Sequence, residues 1–308
     1  MKRKGYRAWQ MIVLGLLAVA MVVSLMVPES LLTPAGPKRV EISILIRQSG
    51  TSAWNTARQG MEQAAEDLNA ELRFLTLEQD NDSAEQLDLL RRQADMDVDA
   101  AVVVPADSVA LEQLLADWQK LPVVTLESPV QGARAFVGPD DEAVGQLLAE
   151  QLIQDCAPGQ PVLLVQAYPG CGGPTRRLEG AKERLTQAGF SPKICGLPTA
   201  QQLEGAGAVL CFEPASLEQV ALLAAQCAQP PLVYGAGVSE PVVAQLEIGG
   251  VTALAAWSDY AAGYLAVTQA AAAARKQPVE TRTLPVTLVQ EGKTYDKDYE
   301  KLLYPAFH

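Results

Sequence analysis

The chain has 308 residues, of which 49% are hydrophobic and 19% charged, a composition typical of folded globular proteins and not of disordered ones. This length is too great for one ordinary core and suits two domains of average size. The formal net charge is −12, but four basic residues precede the first acidic residue, Glu29, and the remainder carries 20 basic against 36 acidic residues. A body this acidic repels phosphate backbones, which disfavours nucleic acid as a partner.

The single histidine, His308, is the last residue of the chain. Its position disfavours Ser-His-Asp triads, Cys-His dyads and the usual histidine-bearing zinc sites. A glycine-rich fragment at Gly205–Gly207 precedes a predicted strand instead of following one, and the sequence has no Walker loop or nucleophile elbow. The sequence therefore predicts a protein that is not an enzyme and that uses no cofactor and no metal ion.

Residues 11–27 form an uncharged apolar run behind the four basic residues. As a helix the run would span about 25 Å, slightly less than a hydrocarbon core of about 30 Å. A retained signal anchor fits better than a cleaved signal peptide, because no small residues stand at −3 and −1 of a convincing cleavage site. Residues 1–38 are therefore predicted to be a cytoplasmic basic stub, a membrane-anchoring helix and a tether. Whether the segment is a retained anchor or a cleaved signal peptide, everything after Val27 is exported.

Short apolar runs alternate with helical patterns from Val40 onward. In chain order, the first series predicts the strand Val40–Ile46, the helix Ala53–Asn69, the strand Glu71–Leu77, the helix Ser83–Ala94, the strand Ala100–Val104, the helix Val109–Trp118, the strand Val123–Leu126 and the helix Asp140–Gln154. Asp140 or Asp141 is a plausible cap of the last of these helices.

The same rhythm restarts near residue 161. The second series predicts strands at Pro161–Val165, Ser191–Ile194, Ala208–Phe212, Leu232–Tyr234, Val251–Ala255 and Leu284–Val289, with helices at Thr175–Ala188, Ser216–Gln226, Pro241–Glu247 and Ala261–Ala274. Strands separated by helices of this length indicate parallel sheets covered on both faces. We therefore predict an α/β protein with two doubly wound, Rossmann-like domains.

The five cysteines all lie in the second half of the chain, at Cys156, Cys171, Cys195, Cys211 and Cys227. Their odd number leaves at least one thiol unpaired or paired between molecules. A Cys171–Cys195 bridge is one candidate, because each of the two follows a predicted strand. Cys211 and Cys227 resemble small core hydrophobes.

Ligands of doubly wound sheets bind beyond the carboxyl ends of the strands, so the residues after each strand are candidates for a site. In the first half these are residues 47–54, Gln79–Asp82, Pro105–Ser108 and Glu127–Ser128, and in the second half Ala167–Arg177, Glu213–Pro214, Gly235–Gly237 and Trp257–Asp259. Hydrogen-bonding groups beside aromatic faces suit a small polar solute with an apolar ring face.

Four segments of the first half also carry a resemblance to a known family. They are Gly60–Leu68, Gln79–Asp82, Ala101–Ser108 and Pro122–Glu127, which match the family's first helix, its acidic turn, its "NPxD" loop and its "PV(I/V)xxD" strand in order. The region from about Val40 to Val289 resembles the type I periplasmic binding proteins, in particular the ribose- and galactose-binding kind. The resemblance implies two lobes that close like a clamshell around a sugar-like ligand.

The resemblance also implies three ligand contacts. Trp54 falls where the family stacks an aromatic ring on the sugar, and Asp107 falls where it binds sugar hydroxyls with an aspartate. Arg176 or Arg177, of which we choose Arg177, falls near an arginine that often grips the ligand. Each has a structural alternative: Trp54 could seal the first helix, Asp107 could cap the next helix, and the arginines could form a surface pair with Glu179 or Glu183.

The second half departs from the family pattern. It has Glu213–Pro214 where asparagine-aspartate is common, Gly235–Gly237 where "GFD" is common, and Ala256–Ser258 where glutamine precedes proline. We therefore expect a ligand other than ribose, one with a larger apolar face or a positive charge, or a degenerate site. The full predicted ligand-binding set is Ser52, Trp54, Asp80, Asp107, Ser108, Arg177, Glu213 and Trp257.

The predicted first lobe comprises residues 39–137 with 258–280, and the second lobe 138–257 with 283–308. Three crossings form the hinge, near Phe136–Asp140, Ala256–Tyr260 and Val279–Leu284. The predicted function is a monomeric extracytoplasmic binder that serves an ABC-type sugar permease. A membrane-anchored sensor for a two-component kinase and a binding module without a small ligand stay open as alternatives. A LacI-type regulator shares the core fold but needs a basic helix-turn-helix where this chain has its apolar run.

Overall fold

The computed structural model of the chain describes residues 39–48, 54–296 and 302–303, together with Met21 and Tyr299. The predicted anchor at 11–27, apart from Met21, and the predicted contact Ser52 lie outside these residues. Within the described ranges no helix is both long and apolar enough to cross a bilayer. The fold below is that of the compact unit Val40–His308.

Strands and helices alternate from the first described strand onward. The first part of the chain forms β1 (Val40–Leu45), α1 (Asn55–Asp67), β2 (Ala70–Leu75), α2 (Ser83–Asp95), β3 (Ala100–Val103), α3 (Ser108–Asp117), β4 (Val123–Leu126) and β5 (Ala135–Pro139). β3 and β4 are buried along their whole length, as parallel strands covered on both faces must be.

The second part continues the alternation. It forms α4 (Asp141–Asp155), β6 (Val162–Val165), α5 (Gly172–Gln187), β7 (Lys193–Cys195), α6 (Ala200–Glu204), β8 (Ala208–Cys211), α7 (Pro214–Ala224), β9 (Leu232–Ala236), α8 (Glu240–Glu247), β10 (Ala253–Ala256), α9 (Asp259–Ala274), β11 (Arg282–Leu284) and β12 (Thr287–Gln290).

The strands form two six-stranded sheets, which confirms the predicted fold class. The first sheet has the order β11-β5-β4-β3-β1-β2 and the second β12-β10-β9-β8-β6-β7. The pairings are parallel except that of β12, which runs antiparallel to β10. Each sheet with the helices packed on it is called a lobe below.

Two helices belong to one lobe although the strand before them in the chain belongs to the other. α4 follows β5 of the first sheet but packs on α5 and the second sheet, whereas α9 follows β10 of the second sheet and packs on α1 and the first sheet. Both crossings need glycine, because a Cβ on Gly145 would lie 1.9 Å from the Arg177 carbonyl oxygen and one on Gly263 1.9 Å from that of Ala57. Each crossing lies within one lobe, and the chain passes from one lobe to the other just before α4 and again just before α9.

The elements differ from the prediction in three places. β5 was not predicted, since Gly138 and Pro139 within five residues weaken its strand signal. The short helix α6 was not predicted either, although Thr199 and Gln202 form a capping box at its start. The predicted last strand is two strands, of which β11 pairs with β5 in the first sheet and β12 with β10 in the second. The lobe boundaries themselves stay a prediction.

All five cysteines are free thiols in the structure, so the candidate Cys171–Cys195 bridge is wrong. Cys195 is in the edge strand β7, where its thiol lies 3.8 Å from the Leu164 carbonyl oxygen. Cys171 ends the loop between β6 and α5. Its thiol faces the first lobe, where it donates to the Ala106 carbonyl oxygen. The two thiols therefore point to different neighbours, and only Cys171 follows a strand as predicted, because Cys195 is the last residue of β7 itself.

Candidate functional site

The carboxyl ends of the strands in the two sheets face each other, and the residues that follow them meet directly. We call this contact the seam. Its first-lobe residues are Arg47, Asn81, Ser108, Glu127 and Ser128, and its second-lobe residues are Tyr168, Cys171, Gly172, Gly173 and Arg177. It lies where the sequence predicts the ligand-binding cleft.

Arg177, on the first turns of α5, is the most connected side chain of the seam and is fully buried. Its Nε donates to Oδ1 of Asp141 at 2.8 Å, and its Nη1 donates to the Phe212 carbonyl oxygen at 2.8 Å. The guanidinium carbon lies 4.7 Å from the ring centre of Trp257. The alternative that this arginine forms a surface pair with Glu179 or Glu183 is therefore wrong.

Glu127 follows β4 and reaches arginines from both lobes. It pairs with Arg47 at 3.0 Å and lies 3.8 Å from Nη1 of Arg177. Its backbone has a φ of 69°, and the Ser128 N–H donates to the Leu126 carbonyl oxygen at 2.8 Å, which closes a tight turn around it. Burial alone would raise the pKa of Glu127, but the two guanidinium groups outweigh it and hold that pKa below its usual range.

Asp141, the other carboxylate bound by Arg177, is the first residue of α4 and 4% exposed. Burial raises its pKa, and the Arg177 guanidinium offsets part of the rise. The cap of α4 is Asp140, one of the two residues predicted for that role. Asp141 was not selected from the sequence because its pairing with Arg177 depends on the close packing of α4 on α5.

Arg47 follows β1 and joins the seam to the loop after β2. Its Nη1 donates to Oδ1 of Asn81 at 2.9 Å, and its guanidinium carbon lies 5.4 Å from the ring centre of Tyr168. The Cys171 thiol lies 3.7 Å from the same Asn81 oxygen and donates to the Ala106 carbonyl oxygen at 3.4 Å. Burial raises the pKa of this thiol to about 11, so it stays protonated at neutral pH.

The N-terminal turn of α5 is capped by the opposite lobe. The Gly172 N–H donates to Oγ of Ser108 at 3.1 Å, and the Gly173 N–H donates to Oγ of Ser128 at 2.8 Å. In return the Ser108 N–H donates to the Gly170 carbonyl oxygen at 3.0 Å. The N-cap residue Cys171 makes no side-chain cap of its own. Three hydrogen bonds thus run directly from one lobe to the other at this turn.

Asp107 and Glu213, both predicted ligand contacts, cap helices in the structure. Oδ1 of Asp107 accepts from the N–H groups of Val109 and Ala110 at the start of α3. The two oxygens of Glu213 accept from Ala215 and Ser216 at the start of α7, and this side chain is buried. The structure thus bears out the alternative that Asp107 is a cap, and ligand binding by either residue stays a prediction.

Trp257 and Trp54, the two predicted aromatic contacts, have different surroundings. Trp257 is 6% exposed and lies under the Arg177 guanidinium. Trp54 is partly buried against the core cluster that contains Trp257, and its indole N–H finds no hydrogen-bond partner among the described residues. Asp259, two residues beyond Trp257, has a pKa raised to about 7 by burial and by Glu127.

Ser108, Arg177 and Trp257 of the predicted set therefore lie in the seam or against it. Asp80 is exposed and close enough to Tyr168 to act on it electrostatically. Sequence reasoning did not select Arg47, Asn81, Ser128 or Tyr168. The sequence feature that could have indicated them is their position in the loops after strands. The sequence does not show which residue of such a loop points toward the opposite lobe.

A solvent-open cavity of about 370 Å³ lies elsewhere, at the predicted hinge, where Phe136, Asp140 and Arg176 contribute to its wall. Among the predicted ligand contacts that the structure describes, none lines it. This cavity is therefore distinct from the predicted ligand site.

Comparison with known proteins decides the family. Residues 42–278 match the family described as "Periplasmic binding protein domain". The chain belongs to this family. A periplasmic binding protein binds solutes and is not an enzyme, in agreement with the sequence prediction. Among curated protein sequences, none matches the chain significantly.

Solved structures of similar proteins share the fold of this periplasmic binding protein. A carbohydrate transporter solute-binding protein from Agrobacterium radiobacter, in complex with D-arabinose, has a TM-score of 0.77 at 17% identity and covers 87% of this chain and 100% of its own. An ABC transporter solute-binding protein from Agrobacterium vitis with bound D-fucose has a TM-score of 0.76 at 18% identity, with coverages of 86% and 100%. Another from Agrobacterium vitis, bound with α-D-tagatopyranose, has a TM-score of 0.78 at 18% identity, with coverages of 86% and 99%.

Proposed function

We propose that this periplasmic binding protein is an extracytoplasmic receptor that captures a small, polar, sugar-like solute between its two lobes for an ABC transporter. The observation that carries the proposal is the seam itself, where hydrogen-bonding and aromatic groups from the ends of strands in both sheets converge. A binding protein needs ligand groups on both walls, because only contacts to both favour the closed state.

The chemistry of the residues supports a hydroxylated ring as the ligand. Arg177 and Asp107 offer charge-assisted hydrogen bonds, each of the order of 1.5–3 kcal/mol, to ligand hydroxyls. Trp257 and Trp54 offer aromatic faces, and stacking contributes about 0.5–1.5 kcal/mol beyond the buried area. Glu213 and Asp80 complete the proposed set, with Ser108 on the first lobe and Ser52 in the segment beyond the described residues.

The similar structures support the ligand class in general terms. Three of them carry bound monosaccharides, namely D-arabinose, D-fucose and α-D-tagatopyranose. At 17–18% identity these similarities support the fold only. Which sugar the protein binds depends on its own side chains. Capture needs no covalent step, so no cofactor or metal ion has a role in the proposal.

The transporter partner and the location are parts of the same proposal. The apolar run at 11–27 and the basic residues before it would hold the receptor at the outer face of the cytoplasmic membrane, as a monomer beside an ABC permease. A membrane sensor kinase remains the alternative partner, because an anchored receptor can report occupancy without diffusing.

A second candidate function is a binding module without a small ligand. Its specific support is that the seam residues pair with one another: Arg177 with Asp141, Glu127 with Arg47, and the two serines with the start of α5. A protein whose cleft is permanently filled in this way would contribute a surface to an assembly and would bind no sugar.

A thermal-shift screen separates the two functions. The purified protein is heated with D-arabinose, D-fucose, D-tagatose, D-galactose and D-ribose in turn, and a ligand at about 100 times its dissociation constant should stabilise it by about 2.7 kcal/mol. If the protein is a sugar receptor, we expect at least one sugar to raise its melting temperature. A flat response to the whole panel favours the module without a ligand.

The matched variants of this screen are Asp107→Asn and Asp82→Asn. Both aspartates cap a helix of the first lobe, α3 and α2 respectively, and asparagine caps a helix about as well as aspartate, so both variants keep a comparable cap. Asp107 lies beside the second lobe, where its Oδ2 is 3.3 Å from the position of a Cβ on Gly170. We expect Asp107→Asn to abolish the sugar-induced shift and Asp82→Asn to keep it. Equal shifts in the two variants would remove Asp107 from the site.

A further inference from the structure

The start of α5 carries two N–H groups that the helix itself cannot satisfy. The first four N–H groups of a helix lack an intrahelical acceptor, and here Gly172 and Gly173 are the first two residues. Both are satisfied by hydroxyl groups of the other lobe, Ser108 and Ser128. Since the cap comes from the opposite lobe, parting the lobes would leave both N–H groups without these acceptors.

The close approach depends on the two glycines. A Cβ on Gly172 would lie 2.6 Å from the Ser108 hydroxyl, and one on Gly173 would lie 2.6 Å from the Glu127 carbonyl oxygen. Any larger residue would hold the first lobe away from this turn. The lack of side chains at both positions therefore lets the lobes close on each other directly.

A further donor faces the same turn without a partner. Nη2 of Arg177 makes no hydrogen bond to any described residue, although the side chain is fully buried. It lies 3.4 Å from the position of a Cβ on Gly173. A buried donor left unpaired costs free energy, so this turn favours an additional oxygen acceptor.

The surrounding charge restricts what that acceptor can be. Three buried carboxylates, Glu127, Asp141 and Glu213, surround the two buried guanidinium groups of Arg47 and Arg177. A ligand carboxylate would add to an excess of negative charge in a buried site. Neighbouring hydroxyl oxygens of an uncharged polyol can accept from the same N–H groups without that cost.

We propose that Ser108 and Ser128 hold the places of two neighbouring ligand hydroxyls at the start of α5, so that the lobes close without ligand and an uncharged polyol enters by displacing the serines. The displaced hydroxyl groups then turn to the ligand. The ligand part of this inference rests on the proposed receptor function, whereas the closure without ligand does not.

Hydrogen–deuterium exchange of the ligand-free protein tests the closure directly. The readout is the exchange of the Gly172 and Gly173 amides, followed in peptides that span residues 168–178. In the wild type we expect these amides to exchange at least about tenfold more slowly than in the Ser108→Ala/Ser128→Ala double variant. The amides of Ala215 and Ser216, which Glu213 caps within the second lobe, report that the variant is folded.

Gly172→Ala perturbs the same contact from the other side while keeping both hydroxyl groups. It should raise the exchange of the Gly173 amide as the double serine variant does, whereas Ser83→Ala, at the start of α2, should leave that exchange unchanged. Fast exchange of the two amides in the ligand-free wild type overturns the closure, and so does slow exchange that survives the loss of both serines.

The ligand part is tested with D-galactose and D-galacturonate on the double serine variant. Restored slow exchange with D-galactose and not with D-galacturonate is the expected result. A sugar that binds by calorimetry but leaves the exchange fast overturns the ligand part. If no sugar binds by calorimetry, the receptor function fails, while the exchange of the ligand-free protein still decides whether the serines close the lobes.

Discussion

Arg47 and Arg177 come from opposite lobes and act on the same carboxylate. Arg47 Nε lies 3.0 Å from one oxygen of Glu127, and Arg177 Nη1 lies 3.8 Å from the other. Glu127 thus interacts with one buried cation from each lobe, and Asp141 supplies a second, closer carboxylate to Arg177. Buried charges of this kind contribute little net stability as a set, but the removal of one member leaves the others uncompensated.

Glu127→Gln should therefore destabilise the protein strongly. The variant leaves the buried Arg47 without its paired carboxylate, which costs about 3–5 kcal/mol, whereas Arg177 keeps Asp141. Urea unfolding measures the loss. Glu150→Gln is the matched control, since Glu150 pairs with Arg184 at the surface and its side chain is 54% exposed. We expect less than about 1 kcal/mol there, and equal losses in both variants would contradict the role given to Glu127.

Gly145→Ala should disrupt the crossing of α4 and α5. The added methyl group would lie 1.9 Å from the Arg177 carbonyl oxygen, so the two helices would have to move apart. Overpacking of this kind costs about 1–3 kcal/mol, which a lower melting temperature would report. Gly196→Ala is the control, because the position has open space around its Cβ. A Gly145→Ala protein as stable as the control would mean that the crossing is looser than described.

Asp259 should make the stability depend on pH. Its folded pKa is raised to about 7, whereas an unfolded aspartate has a pKa of about 3.9. Between these values the unfolded chain has lost the proton that the folded protein keeps, so stability falls as the pH rises from about 4 to about 7. The melting temperature of Asp259→Asn relative to the wild type should accordingly increase from pH 5 to pH 8. The exposed Asp117→Asn serves as control, and a pH-independent difference for Asp259→Asn would disprove the assignment.

Cys171 should report the opening of the lobes. Its thiol is fully buried in the seam and protonated, whereas Cys195 is partly exposed in the edge strand β7. Alkylation with iodoacetamide under native conditions, followed by peptide mass spectrometry, should modify Cys195 well before Cys171. The Ser108→Ala/Ser128→Ala protein should modify Cys171 faster than the wild type does. Equal rates for the two cysteines in the wild type would show that the seam opens freely.

The alternation of strands and helices could be predicted because each element carries its own local signal. The fully buried strands β3 and β6 are uninterrupted apolar runs, and the caps Asp82 and Asp140 stand directly before their helices. The strand β5 has no such signal and was missed. β5 contains glycine and proline, and its place in the sheet comes from pairing with β4 and β11, which the sequence does not display.

The residues of the site were harder to predict from the sequence than the fold. Arg177 could be selected because the family resemblance implies a ligand-gripping arginine near the start of this helix, and it does lie at the centre of the seam. Its partner Asp141 could not be selected from the sequence, because the pairing depends on the close crossing of α4 and α5 and not on any local pattern. Serine hydroxyls such as that of Ser128 carry no charge or motif, so only the geometry reveals their role.

The most direct test of a solute receptor is a calorimetric titration with the sugar that gives the largest thermal shift. We compare the wild type with Trp257→Ala, which removes the aromatic face beneath Arg177, and with Trp118→Ala, at the end of α3 against a different core cluster. The account predicts binding at one site per chain that weakens at least about tenfold in Trp257→Ala and is unchanged in Trp118→Ala. A wild type that releases no heat with any sugar, or a Trp257→Ala protein that binds as tightly as the wild type, would contradict it.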